Sequence, residues 1–354
     1  MQSIRHVGPA VALAGLLLAS APGAGLAQAS GSYTLSGDRV AVYNLAGSVR
    51  IRGATGSEVG VEIDAHGKDA GSLRIETGPL GDRQALRVIY PDDRIVYPQL
   101  HRGSHSRIRV RDDGTFFDDR GRRGRQVEIR SRGRGLEAYA DMVVSVPAGQ
   151  RVRVYLGVGE VHAENVDGIL VIDVAAAPVT TVSTRGALRV DTGSGSVEVQ
   201  DAEGDVNIDT GSGRVEVAGV RSDRLRIDTG SGGVVGSDIT ADVLDVDSGS
   251  GRIDLAAVRT GGGRLDTGSG SVTLELLTDV GDLKIDTGSG KVTVYFPESL
   301  GAELNLEAGS GGIDINVPVT VRRLERDALH GILGDGRGTI SVDTGSGSIR
   351  FIQR

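Results

Sequence analysis

Leu188-Arg189-Val190-Asp191-Thr192-Gly193-Ser194-Gly195-Ser196-Val197-Glu198-Val199 is the stretch on which the fold turns. Leu188 and Val190 alternate with Arg189 and Asp191, the period-two pattern of a strand with one buried face. Gly193-Ser194-Gly195 then reads as a tight arc, whose glycines are expected to take the positive φ such an arc needs. Val197 and Val199 resume the alternation around Glu198. The motif Asp-Thr-Gly-Ser-Gly starts at Asp191, Asp209, Asp228, Asp266, Asp286 and Asp343, with variants starting at Asp247 (Asp-Ser-Gly-Ser-Gly) and Glu307 (Glu-Ala-Gly-Ser-Gly). Successive starts lie 18, 19, 19, 19, 20, 21 and 36 residues apart, the last being twice 18. A period near 19 is too short for a helical repeat pair and fits one coil of a β-solenoid. The fold class is therefore all-β, a parallel β-solenoid with coils of 18–21 residues.

Other coils repeat the pattern with conservative changes. Leu225-Arg226-Ile227, Leu244-Asp245-Val246 and Leu283-Lys284-Ile285 serve as first strands, and Val215-Glu216-Val217, Ile253-Asp254-Leu255 and Val292-Thr293-Val294 as second strands. A third apolar position at Val220, Ile239, Val258 and Val280 indicates a third, irregular side. Counting back by 18 from Asp191 reaches Asp173 and then Tyr155, which predicts two degenerate coils. The domain reading is a leader at 1–29, early coils and a cap at 30–150, and the regular solenoid at 151–354. Two segments break the rhythm: an Arg-rich stretch within 92–134, read as a long exposed loop, and residues 318–338. After the second break the last coil resumes in phase.

Composition agrees with a narrow interior. Aromatic residues make up 3 %, Trp is absent and Gly numbers 55, so a thick layered core is excluded while stacked Val, Ile, Leu and Thr suffice. Val11 to Ser20 is an apolar run too short to span a bilayer, and Ala27-Gln28-Ala29 reads as a cleavage site, so the chain is expected to be exported to the periplasm, cell surface or medium. No later segment is apolar enough to cross a membrane as a helix, and without cysteine no disulfide can form. The net charge of −8 conceals an asymmetry: residues 101–134 hold 11 Arg against 5 acids, +6, which leaves −14 for the remainder.

Tyr43-Asn44-Leu45-Ala46-Gly47-Ser48-Val49-Arg50-Ile51, the Val146-Pro147-Ala148-Gly149 entry, the Asp-Thr-Gly-Ser-Gly coils and the closing Gly336-Arg337-Gly338-Thr339-Ile340-Ser341-Val342-Asp343 together resemble a bacterial family of exported β-strand-repeat proteins. That family has no assigned function and carries the label "putative adhesin". The resemblance implies a right-handed parallel solenoid in a cell-envelope setting, and it transfers no catalytic residue.

Apolar-apolar-Asp-Thr-Gly-Ser is also the signature of pepsin-like proteases, but their chemistry needs two aspartates facing across a cleft. Aspartates every 19 residues stack along one edge instead. The column Asp191, Asp209, Asp228, Asp247, Asp266, Asp286 has two readings. In the favoured one, each carboxylate accepts N–H bonds from its own Gly-Ser-Gly arc, which would depress its pKa. In the other, Ca²⁺ ions neutralise the column. The adjacent Thr192, Thr210, Thr229, Thr267, Thr287 and Thr344 are expected to point inward as a hydroxyl ladder, the alternative being an outward face that binds ice or glycan. Arg120, Arg122, Arg123 and Arg125 are the candidate contacts to a polyanion, and His101 with His105 is at most a weak metal pair. No cofactor and no nucleic-acid partner is expected. The leading function is a non-enzymatic structural or adhesin-like envelope module whose partner is an anionic polymer, glycan or protein. The rivals are a Ca²⁺-binding repeat protein and a carbohydrate-binding or carbohydrate-active protein. The last would use Asp112, Asp113, Asp118 and Asp119 between the Arg-rich loop and the solenoid wall.

Overall fold

The computed structural model describes residues 30–118 and 123–354, so the leader read at 1–29 and Asp119, Arg120 and Arg122 lie outside the described residues. Among the described residues there is no α-helix, only a 3₁₀ turn at Ala70–Ser72, and no helix long and apolar enough to cross a membrane. Strands pair in parallel with the strand one coil away, so identical motif positions stack: Asp191 on Asp209, Asp209 on Asp228, Asp228 on Asp247. The protein is a β-solenoid of the period read from the sequence.

Alternation builds the core. Val154, Ile172, Val190, Ile208, Ile227, Val246, Leu265 and Ile285 form one column of register partners, each buried. A second side is lined by Val197, Val215, Val234, Ile253, Val272 and Val292, again buried and stacked. The third side carries Ala202, Val220, Ile239 and Val258. Leu276 takes this register position in the next coil after an irregularity, so Val280 is buried outside the column. Between the second and third sides the chain turns through a left-handed residue at Asn165, Ser183, Asp201, Gly219, Asp238 and Ala257, with φ between 51° and 67°. Asn and Asp tolerate this region better than most residues. Their spacing of 18 or 19 residues marks a corner the sequence reading did not identify.

The threonines point inward. Thr192, Thr210, Thr229, Ser248, Thr267, Thr287 and Thr344 are all at most 1 % exposed. Each hydroxyl accepts the N–H of the last glycine of its own arc at 2.8–3.1 Å. Each also donates to a carbonyl of the preceding level at 3.0–3.5 Å. The outward alternative for this column falls.

The arc glycines are needed for a different reason than expected. In the complete Asp-Thr-Gly-Ser-Gly arcs no glycine has a positive φ; only Gly309 of the degenerate Glu307 motif does. A Cβ at Gly213 would lie 1.7 Å from the Gly195 carbonyl oxygen, and one at Gly232 would lie 1.8 Å from that of Gly213. The arcs stack so closely that the neighbouring backbone occupies the side-chain position.

Both ends depart from simple succession. The coil Arg39–Ala54 stacks on Gln150–Glu164, and its other side is covered by Arg83–Ile89 and Tyr139–Pro147. Antiparallel strands Val59–His66, Gly31–Leu35 and Arg74–Leu80 close that end. At the opposite end the last coil does not follow the Glu307 coil. Gly338–Thr344 and Ile349–Gln353 insert between the coil at 282–296 and the one at 302–315, pairing Asp343 with Asp286 on one side and Glu307 on the other. Ala328–Leu333 runs antiparallel on the far side of Ala302–Glu307 and is itself followed by Thr320–Leu324. Residues 318–338 are thus an antiparallel cap, and sheet edges are covered where a regular coil would have left them open.

The Arg-rich segment is not a long exposed loop. Arg94–Val96, His105–Val110 and Arg125–Arg130 form a separate three-stranded sheet. Its inner residues Ile95, Ile108, Val110, Val127 and Ile129 are buried in the same core cluster as the solenoid. Gly157 makes the docking possible, since a Cβ there would lie 2.7 Å from Ile108 Cδ1 and 3.2 Å from Ile129 Cδ1. Alternating Ile and Val between the arginines carried the signal, masked by the charge of the segment.

Gly232→Ala should destabilise by roughly 1–3 kcal/mol through overpacking. Gly233→Ala, whose Cβ would meet only the Arg252 oxygen at 3.5 Å, should be nearly neutral in denaturant melts. Equal shifts would contradict the close approach of the arcs. Removing residues 338–354 should make the segment 282–333 susceptible to limited proteolysis, because it withdraws an internal level; unchanged resistance would contradict this stacking order.

Candidate binding cleft and the carboxylate column

Where the three-stranded sheet meets the solenoid wall, the surface forms a cleft of about 730 Å³. The sheet side contributes Tyr97, Gln99, Leu100, His101, Ser104, His105 and Ser106, and the wall contributes Glu160, Pro178, Ser194 and Ser196. Tyr97 is buried and donates its hydroxyl to Gln99 Oε1 at 2.9 Å, which orients the amide at the rim. Burial pushes the Tyr97 phenol above its ordinary range, so it stays protonated. Pro178 and Leu100 supply apolar surface, while hydroxyls, an amide and two imidazoles supply hydrogen-bonding groups. Glu160 is the one carboxylate among the described lining residues.

Of the four carboxylates proposed from sequence, Asp119 lies outside the described residues and the other three do not meet here. Asp113 accepts the Thr115 N–H at 3.1 Å and closes a turn. Asp118 forms an ion pair with Arg111 and accepts the Tyr43 hydroxyl at 3.0 Å. Asp112 is exposed, and none of the three lines the cleft. Of the candidate polyanion contacts, Arg123 is exposed, whereas Arg125 is half-buried, pairs with Asp93 and donates to the Tyr90 carbonyl. His101 and His105 line the same cleft, but no group of three His, Asp or Glu among the described residues is arranged to hold a metal.

The carboxylate column continues beyond the six aspartates read from the sequence. Through strand register it runs from Tyr43 and Tyr155 to Asp173, Asp191, Asp209, Asp228, Asp247, Asp266, Asp286, Asp343 and Glu307. Tyr43 and Tyr155 stack face to face at 4.4 Å, and Phe116 packs edge-on against both. The reading that each arc's own amides hold its aspartate is overturned. The N–H of each arc's last glycine goes to the threonine hydroxyl, and among the described residues no arc amide donates to these carboxylates. Strand alternation decides this: the inward threonine lies under the arc, and the outward aspartate points away from it.

Cations two residues earlier flank part of the column instead: Arg226 lies 3.5 Å from Asp228, Arg264 Nε 3.1 Å from Asp266, and Lys284 3.9 Å from Asp286. Where support is thin the pKa moves up, opposite to the depression expected. Burial raises Asp173 to about 7, reinforced by the Asp191 charge and, less, by Asp118, against Arg189 and Arg153. Burial likewise raises Asp191, with Asp209 adding to it, and raises Asp247, with Asp266 and Asp228 adding.

Residues 111–351 match the family model Toastrack DUF4097. The chain belongs to the Toastrack DUF4097 family. This is a family of unknown function, in keeping with the resemblance read from the sequence. The match takes in one strand of the small sheet, Arg125–Arg130, and every Asp-Thr-Gly-Ser-Gly motif, but not Arg94–Val96, His105–Val110 or the coil Arg39–Ala54. No curated protein matches the chain. Among solved structures, the chain is similar to a "putative cell adhesion protein" from Clostridium sporogenes ATCC 15579, at 11 % identity over 92 % of this chain and 100 % of that one, with a TM-score of 0.20. A superposition that poor supports no inference about this Toastrack chain.

Asp173 carries a testable consequence. Its folded pKa of about 7 exceeds the ordinary 3.8, so the folded state binds this proton more tightly than the unfolded state. Stability from this group is then present at low pH and lost as pH rises through about 7. Asp173→Asn should gain stability relative to the parent by roughly 1–3 kcal/mol between pH 5 and pH 8. A stability difference independent of pH in urea melts would show that Asp173 titrates normally.

Proposed function

We propose that this chain is a non-enzymatic, adhesin-like structural module of the cell envelope, a stiff rod that holds a glycan-binding cleft near one end. The observation that carries this reading is the make-up of the cleft, where Glu160 is the one carboxylate among the described lining residues, beside hydroxyl, amide and imidazole groups. Glycoside hydrolysis ordinarily requires two carboxyl groups flanking the scissile bond. Along the rest of the wall each level repeats the environment of the one before, which suits a scaffold and offers no unique meeting of acid, base and nucleophile. Export is supported by the apolar run Val11 to Ser20 and the small residues before Ser30.

Carbohydrate is favoured over an apolar ligand by the same lining. Gln99, Ser104, Ser106, Ser194 and Ser196 can bond sugar hydroxyls over the apolar surface of Pro178 and Leu100. Purified cell-wall polysaccharide should bind the full chain without new reducing ends appearing. Gln99→Ala combined with Ser106→Ala should weaken binding by about tenfold, the effect of losing one to two hydrogen bonds. Release of reducing ends that Glu160→Gln abolishes would overturn the non-enzymatic reading, and failure to bind any such polysaccharide would overturn the glycan assignment.

A further inference from the structure

The outer face of the three-stranded sheet is a second surface, which meets the cleft only at His105 among the described residues. Because Ile108, Val110, Val127 and Ile129 point into the core, alternation turns Arg107 and Arg109 outward on one strand and Gln126, Glu128 and Arg130 outward on its neighbour. Arg94 stands beside Glu128 on the third strand. Among the described residues Glu128 is the one carboxylate on this face, and it is already engaged by Arg107 at 3.6 Å and Arg130 at 2.7 Å. Arg94 and Arg109 are exposed, as are Arg102 and Arg132 in the adjoining turns, and none of the four forms an ion pair among the described residues. These arginines do not line the cleft.

Four properties narrow the partner. The face is one side of a small sheet, so it presents its charges on a broad surface and not in a groove. Among its outward strand residues the one ring is the imidazole of His105, paired with Arg130, so successive bases of a single strand would find no run of stacking platforms. The hairpin joining Val110 to Arg125 carries Phe117, which is 41 % exposed with φ 61°, an unfavourable conformation for a bulky side chain and an apolar group a soluble polyanion would not require. The +6 of residues 101–134 faces −14 over the remainder, so the rod has a charge asymmetry that orients it against a negative surface from a distance.

We infer that this basic face docks on the anionic headgroups of a lipid bilayer. Arginines near such a surface each contribute to attraction that decays within a Debye length, so binding is cumulative and salt-sensitive. The rod would then be held to the membrane by the small sheet while the cleft and solenoid wall stay accessible.

Co-sedimentation of the full chain with vesicles of equal phosphatidylglycerol and phosphatidylcholine tests this against vesicles of phosphatidylcholine alone. Binding should appear only with the anionic vesicles and fall on raising the salt from 0.05 M to roughly 0.5 M. Arg94→Gln with Arg109→Gln, which breaks no ion pair, should weaken it by roughly ten- to thirtyfold. Arg214→Gln with Arg252→Gln, exposed on the solenoid arcs, should leave it nearly unchanged. Absence of binding to anionic vesicles, equal loss in both double variants, or binding to soluble polyphosphate or DNA without binding to vesicles would each overturn the proposal.

Discussion

The stack rests on one close approach. The carbonyl of the last glycine in each arc reaches into the next arc, to within 2 Å of where a Cβ would stand, and the threonine hydroxyl of that next arc donates to it. The same hydroxyl accepts the glycine N–H of its own arc, so one buried oxygen satisfies two backbone groups that the turn would otherwise leave without partners. Thr-Gly-Ser-Gly is thus a single device: threonine bonds in both directions, and the glycines leave room for the approach. Ser248 shows that the hydroxyl is what matters, because it makes both bonds without the methyl group. In the Glu307 coil Ala308 replaces this residue and cannot make them; that coil is also the outermost of the regular levels, where it is covered by antiparallel strands.

With the inward position taken by threonine, the aspartate has to face outward, and its energetics follow from that. A column of carboxylates at strand spacing repels itself, and each also loses water to its neighbours. The flanking Arg226, Arg264 and Lys284 offset this in the later coils. Near the small sheet the burial is greater, and the column ends by exchanging carboxylates for the stacked rings of Tyr155 and Tyr43. That exchange produces an apolar shoulder on which Phe116 and the inner face of the small sheet can dock. The cleft and the basic face are both consequences of that docking: one lies at its seam and the other on its outer side.

How far the chain could be read depended on whether a feature was local and repeated. The coil period, the two regular strands and the inward threonine column follow from alternation and spacing around Asp191, and they appear at the positions expected. The corner at Asn165, Ser183, Asp201 and Asp238 leaves no repeated residue in the sequence, because several residue types can occupy the left-handed region, so composition there varies while conformation does not. In the 92–134 segment twelve arginines mask a short alternation of Ile and Val. The cleft could not be anticipated, since Gln99, His105, Glu160 and Ser194 are brought together from separate levels.

The sequence by itself determined the period, the fold class and which side chains face inward, because all three are set by contacts between neighbours along a strand and copies one coil apart. Only the tertiary structure decided the order of levels at the far end, where residues 338–353 insert between 282–296 and 302–315 although they come last in the chain. Equivalent motifs present nearly the same edge to any neighbour, so local pattern does not specify which level lies next to which. The antiparallel cap on Ala302–Glu307 does specify it, by occupying the edge on which the last coil would otherwise have added.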